Sequence, residues 1–256
     1  SNQMAGKLGD AGVAQGDYIT IALPNGFEFV IACIAAWKLG AVPQPVSSRL
    51  PDAELDAIVA LANSRAVLGV QSDRYAARIC WPQGWAYDAN VESTQLPDRI
   101  SPSWKAPTSG GSTGRPKLIV SNDPATFDPD DLGMIGVLAI QAGGTTIMPG
   151  PLYHNGPFIW VFSQLLRGGH VVLLKRFEAA LTLDAIARFQ GEVVYLVPTM
   201  MSRIWKLPAE QRDAFDLSSL KKAWHLAAPC PEWLKREWLQ WLGPDRLWEL
   251  YGGTEA

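Results

Sequence analysis

Ser109 to Lys117 reads S-G-G-S-T-G-R-P-K, the composition of an anion cradle. Its three glycines let backbone N–H groups turn toward one guest at close range. A row of inward N–H groups forms a concavity suited to phosphate. Ser109, Ser112 and Thr113 add hydroxyl donors, and Lys117 adds a point charge. The order is not that of a Walker A loop, which needs Gly-Lys-Ser/Thr opening a helix. Here Arg115 and Pro116 separate Gly114 from Lys117, and Pro116 removes one amide donor. A flexible Gly/Ser linker is the other reading of such a run. The irregular glycine spacing, the closing Pro-Lys and the apolar Leu118-Ile119-Val120 stand against it.

Three later stretches also hold residues with chemical capacity. Pro151 to Gly156 reads P-L-Y-H-N-G and carries His154; Ala227 to Pro231 reads A-A-P-C-P; Tyr251 to Glu255 reads Y-G-G-T-E. His154 is an acid, base or hydrogen-bonding group near neutral pH, and Glu255 is a carboxylate able to hold a hard cation. Each has a plainer reading: a hydrogen-bonded loop histidine, a core aromatic at Tyr251, and an acid at a helix start for Glu255. His170 and His225 fall in strand-like stretches and read as structural. The acidic turn Phe127 to Asp131 lacks the later glycine and glutamate of a calcium loop and reads as solvated.

Alternating elements must position these groups. Tyr18–Leu23, Ala41–Pro45 and Ala66–Val70 read as strands. Between them, helical spacing runs from Phe27 toward Gly40 and from Pro51 to Asn63, with Pro51 suited to a first helical position. Tyr75 to Lys105 is irregular, with short strands. The second half alternates again. Strands are expected at Thr145–Met148, His170–Leu174, Val193–Val197, Leu220–His225 and Leu247–Leu250. Helices are expected at Asn155–Leu166, Leu181–Phe189, Thr199–Lys206 and Pro231–Trp241. Strands alternating with helices predict an α/β fold of largely parallel sheets flanked by helices. No repeat period is visible. Ligands of such sheets sit beyond the strands' carboxyl ends, where Pro151–Gly156, Pro198–Met200, Ala227–Pro229 and Tyr251–Glu255 all fall. These four loops and the glycine-rich loop are expected to share one cleft.

The 256 residues, 48% hydrophobic, suffice for a large core in one domain or two. A net charge of −3 argues against nucleic acid or an anionic membrane as main partner. Three cysteines without metal-ligand spacing suit a reducing cytoplasm. No apolar run is long enough to span a membrane. The start reads as the interior of a helix, with Met4 and Leu8 four apart, and the end follows directly on Y-G-G-T-E. Both ends predict a piece of a longer chain.

In order and spacing, S-G-G-S-T-G-R-P-K, P-L-Y-H-N-G and Y-G-G-T-E resemble the adenylate-forming superfamily of acyl-CoA synthetases, nonribosomal adenylation domains and luciferases. A-A-P-C-P resembles that family's G-A-P adenine loop. The resemblance covers essentially the whole chain and is greatest to an acyl-CoA ligase. It implies the greater part of a layered αβαβα N-terminal domain over residues 1–256. The hinge, the ribose-binding aspartate, the small C-terminal domain and its lysine are absent, so this fragment is expected to be inactive by itself. Departures are the S-G-G start, Leu118 after the lysine and Ala227 where glycine is frequent.

The resemblance implies that a carboxylic acid attacks ATP, and that the acyl-adenylate passes its acyl group to a thiol, usually coenzyme A. Ser109, Gly110, Gly111, Ser112, Thr113, Gly114 and Lys117 would then cradle the phosphates. Ala227, Ala228 and Pro229 would line the adenine pocket, and Tyr251 and Gly252 would lie against adenine. Thr254 would bond the α-phosphate, Glu255 would hold Mg²⁺, and His154 would lie beside the acid's carboxylate. Pro198 to Met200 would lie near the acyl group. Amino-acid activators carry an aspartate after the aromatic of P-L-Y-H; here Asn155-Gly156 follow, and Phe158, Ile159, Trp160 and Phe162 suit an apolar or cyclic acid. Two further readings are an adenylation domain loading an aryl or other acid onto a carrier protein, and a non-catalytic nucleotide-binding remnant. A homodimer is left open.

Overall fold

A computed structural model describes residues 1–85, 88, 96–110, 116–128, 130 and 133–254, without the side chains of Met134 and Ile135. The chain divides into two compact units, Ser1–Phe127 and Asp128–Ala256.

In the first unit, α1 (Asn2–Asp10) precedes β1 (Tyr18–Ile21), α2 (Phe27–Lys38), β2 (Val42–Pro45), α3 (Asp52–Ala62), β3 (Ala66–Leu68) and β4 (Ile79–Trp81). Met4 and Leu8 are buried in α1, as their four-residue spacing predicts. The strands form one parallel sheet in the order β2-β1-β3-β4. β1 lies inside the sheet, so three of its four residues are buried and its sequence is almost wholly apolar. Pro51 is the N-cap of α3 and not its first residue, and Asn63 closes the helix in the left-handed region. The unit ends in an antiparallel hairpin of β5 (Thr108–Gly110) and β6 (Pro116–Leu118).

The second unit holds α4 (Gly133–Val137), β7 (Thr145–Met148), α5 (Asn155–Leu166), β8 (His170–Leu173), α6 (Ala179–Phe189) and β9 (Val193–Leu196). It continues with α7 (Pro198–Trp205), α8 (Ala209–Arg212), β10 (Lys222–His225), α9 (Glu232–Leu242) and β11 (Leu247–Glu249). Its sheet is parallel in the order β11-β10-β9-β7-β8. The short helices α4 and α8 carry no periodic signal and are not predicted by the sequence. α5 buries Phe158, Trp160 and Phe162, each contributing about 2 kcal/mol of apolar burial. It is pinned to β7 by the Thr146 hydroxyl, which donates to Gln164 Oε1 at 2.9 Å. No described helix is long and apolar enough to cross a membrane.

Candidate functional site

The two ends of the glycine-rich stretch are held together as an antiparallel strand pair. Ser109 pairs with Lys117 and Gly110 with Pro116 across β5 and β6. Its base is tied down by the Ile119 N–H donating to Pro107 O at 2.9 Å, and the segment leading in by Ala106 N–H donating to Pro43 O on β2. Lys117 is exposed and Ser109 half-buried. Gly111, Ser112, Thr113 and Gly114 lie outside the described residues. Close by in sequence, Lys105 is 9% exposed and rests its ammonium 4.3 Å from the Trp104 ring centre. Burial lowers its pKa to about 8, against the opposing pull of Asp123.

In the second unit, the strand order creates a switch point. The connection after β7 leads to β8 on one side, while the connection after β9 leads to β10 on the other. β7 and β9 are neighbours, so the connections at their carboxyl ends run to opposite sides, the place where parallel sheets take ligands. His154 stands there as the N-cap of α5, its carbonyl accepting from Phe158 N–H at 3.1 Å. Its ring packs on Tyr153 at 4.4 Å and has no hydrogen-bond partner among the described residues. Part of the ring meets solvent. The protein around the rest excludes enough water to lower its pKa, so His154 is neutral at pH 7 and offers one donor and one acceptor.

Tyr195, near the end of β9, reaches under the first turn of α5. A Cβ added at Gly156 would lie 2.5 Å from the Tyr195 hydroxyl, so glycine is what admits the ring. Trp160 meets Tyr195 edge-on at 5.2 Å, and Trp224 lies 6.0 Å beyond Trp160. Burial pushes the Tyr195 pKa up, which keeps the phenol protonated and a hydrogen-bond donor. No local spacing announces this residue; its partner glycine lies 39 positions back in the sequence.

Ala227, Ala228 and Pro229 follow β10 as an exposed turn. Ala227 has φ +70°, in the left-handed region that favours glycine. The departure from glycine noted in the sequence is therefore a strained position. After β11, Tyr251 is fully exposed and has no place in the core. Gly252 is also exposed, and Thr254 is half-buried. Glu255 lies outside the described residues. Among the described residues, no group of three or more His, Cys, Asp or Glu side chains is placed to hold a metal ion.

A further cluster, which the sequence reading missed, joins the ends of β10 and β11. His225 is 1% exposed, with Nδ1 3.8 Å from Glu249 Oε1. Lys235 of α9 donates to Glu249 Oε2 at 2.6 Å. His225 and Glu249 are cross-strand partners, and Leu250 N–H donates to the His225 carbonyl at 3.2 Å. Burial, and secondarily the Lys235 charge, hold the His225 pKa down, while Glu249 opposes them. Only the strand register could have revealed this pair, since 24 residues separate them.

The AMP-binding enzyme family matches residues 1–256. The chain belongs to that family. It is 30% identical to a feruloyl-CoA synthase of Amycolatopsis sp over 271 residues, covering 99% of this chain and 52% of that protein. It is 26% identical to 4-coumarate-CoA ligase 1 of Narcissus pseudonarcissus over 283 residues, covering 100% of this chain and 51% of that protein. The chain thus spans about half the length of these curated relatives. Among solved structures, the fold matches o-succinylbenzoate coenzyme A synthetase from Bacillus subtilis in complex with AMP, with TM-score 0.81 and 21% identity over 99% of this chain and 52% of that one. It also matches the N-terminal domain of FACL13 from Mycobacterium tuberculosis, with TM-score 0.75 and 20% identity over 98% of this chain and 66% of that one. The α/β fold of mainly parallel sheets flanked by helices, implied by the resemblance, is the fold observed.

Proposed function

We propose that residues 1–256 form the partial N-terminal, ATP- and acyl-binding domain of an acid–thiol ligase that makes acyl-adenylates and then coenzyme A thioesters. The observation that carries this reading is the gathering of His154, Tyr195, Ala227–Pro229 and Tyr251–Thr254 at the carboxyl ends of one parallel sheet. Family membership and the names of the relatives support it.

In the first step a carboxylate oxygen attacks the α-phosphorus of ATP and pyrophosphate leaves. Ser109 to Lys117 binds the leaving phosphates through N–H groups, hydroxyls and the Lys117 ammonium, where fixed donors lower the barrier. Ala227, Ala228 and Pro229 border adenine, Tyr251 stacks on it beside Gly252, and Thr254 bonds the α-phosphate. Mg²⁺ is assigned to Glu255 together with phosphate oxygens, the ligand set that ion prefers. Neutral His154 donates to the acid's carboxylate without competing as a cation for the phosphates. In the second step the thiol of coenzyme A takes the acyl group and AMP leaves. The residues that complete turnover, a hinge and a small C-terminal domain with its lysine, are assigned to further sequence, so residues 1–256 alone complete no turnover.

The edge-on packing of Trp160 against Tyr195 suits a planar aromatic acid. Hydroxycinnamic acids, the acids in the relatives' names, are the first to try. The three free cysteines suit a reducing cytoplasm. Acid-dependent ATP–pyrophosphate exchange by the full-length protein, over an acid panel with and without coenzyme A, tests the reading. Exchange with aryl acids and a coenzyme A thioester are expected. Exchange with amino acids alone, or no thioester, overturns it.

A further inference from the structure

The loops that follow β10 and β11 are exposed, yet both grow from one buried polar contact. His225 is the last residue of β10 and stands two positions before Ala227. Glu249 is the last residue of β11 and stands two positions before Tyr251. Their side chains meet on the α9 side of the sheet, where Lys235 holds the second carboxylate oxygen. His225 Nδ1 is buried, lies 3.8 Å from Glu249 Oε1 and makes no hydrogen bond among the described residues. A buried ring nitrogen without a partner is costly. Closing less than an ångström toward Glu249 would satisfy it.

We propose that His225, Glu249 and Lys235 form a clasp that sets the spacing between the two nucleotide-bordering loops, with His225 Nδ1–H donating to Glu249 when nucleotide is bound. All three are positioning residues, acting through Ala227–Pro229 and Tyr251. The proposal rests on the adenine assignment above. Among the described residues, the charged groups facing His225 are Glu249 on β11 and Lys235 on α9. Cys230, in the turn before α9, faces the same pair. At pH 7 His225 is neutral and its tautomer is free to follow the hydrogen bond. Glu249, held by Lys235, has its carboxyl below the usual range and stays an acceptor.

The test uses the full-length protein, with binding of a fluorescent AMP analogue and the KM values for ATP and acid in pyrophosphate exchange. His225→Leu and Glu249→Ala should each raise the AMP-analogue Kd and the ATP KM about tenfold by loosening loop placement, with the acid KM unchanged. Asn places an amide N–H where Nδ1 stands, whereas Gln reaches the Nε2 position. His225→Asn should therefore restore most of the ATP KM, and His225→Gln should not. Glu249 is half exposed, so its variant keeps the test open should His225→Leu fail to fold. Unchanged nucleotide affinity in Glu249→Ala, an equal rise in the acid KM, or rescue by Gln as good as by Asn would overturn the clasp. Wild-type protein that binds no AMP analogue would overturn the ligase reading and the clasp with it. Wild-type binding matched by the variants overturns the clasp alone.

Discussion

The two parallel sheets are wound in the same way. β1 lies inside the first sheet, β2 joins on one side, and β3 and β4 extend the other. β7, β8, β9 and β10 repeat that order in the second, and β11 adds an edge. Each sheet therefore has a switch point at the carboxyl ends of two neighbouring strands, β1 with β3 and β7 with β9. The first is closed by backbone. Ala22 N–H donates to Leu68 O at 2.8 Å, and a Cβ at Gly69 would lie 2.3 Å from the Ala22 carbonyl oxygen. The helix-start carboxylate there, Glu28, is occupied by the N–H groups of Gly84 and Trp85. Polar side chains of the first sheet lie inside it: Thr20 donates to Gln44 at 2.5 Å and meets Ser64 at 2.6 Å, all three buried. In the second unit polar groups gather at the strand ends, as His154, Tyr195, His225 and Glu249. On the proposed reading, winding alone creates only the opening, and the residues after each strand decide whether it becomes a site.

Closing the first switch point more tightly is the harshest way to probe that contrast. Gly69→Ala combines a left-handed φ of +94° with a backbone clash, and should cost about 4 kcal/mol, read by urea denaturation. Next in size is the buried charge of Lys105. Its folded pKa of about 8 lies below the unfolded 10.5. The unfolded chain then keeps a proton that the folded chain has lost, so stability rises with pH between those values, by up to about 3 kcal/mol. Below pH 8 the penalty is fully present. Lys105→Met should remove this slope, seen as a flattened pH dependence of the urea midpoint relative to wild type.

Much of this architecture is legible in the sequence, because buried strands and amphipathic helices carry their period locally. β7 and α5 fall on the predicted residues, Thr145–Met148 and Asn155–Leu166. Glycine-rich composition marks the anion-binding candidate, but not that its flanks pair as a hairpin, since Pro116 argues against a strand until it is seen at one end of β6. The shared winding leaves no sequence repeat because it resides in strand order and not in residue type. Gly156 with Tyr195, and His225 with Glu249, are invisible for the same reason: only register brings them together. The left-handed Ala227 was half legible: the departure from glycine is in the sequence, and its φ is the reason glycine is favoured there.

Two smaller effects sharpen the second switch point. Gly156→Ala should cost about 2 kcal/mol by forcing the Tyr195 ring to move and should raise the KM for the acid. Pairing it with Tyr195→Leu should recover part of the stability, a coupling measurable in a double-mutant cycle. Ala227→Gly should relieve backbone strain, stabilising the fold by about 1 kcal/mol, read as a small rise in thermal midpoint.

Photo-crosslinking with 8-azido-ATP, followed by peptide mapping of the full-length protein, tests most directly which switch point is chemical. Adducts are predicted in Leu226–Pro231 and Leu250–Thr254, after β10 and β11. Adducts confined to Ala22–Gly26 or Gly69–Arg74, at the first switch point, would contradict the account.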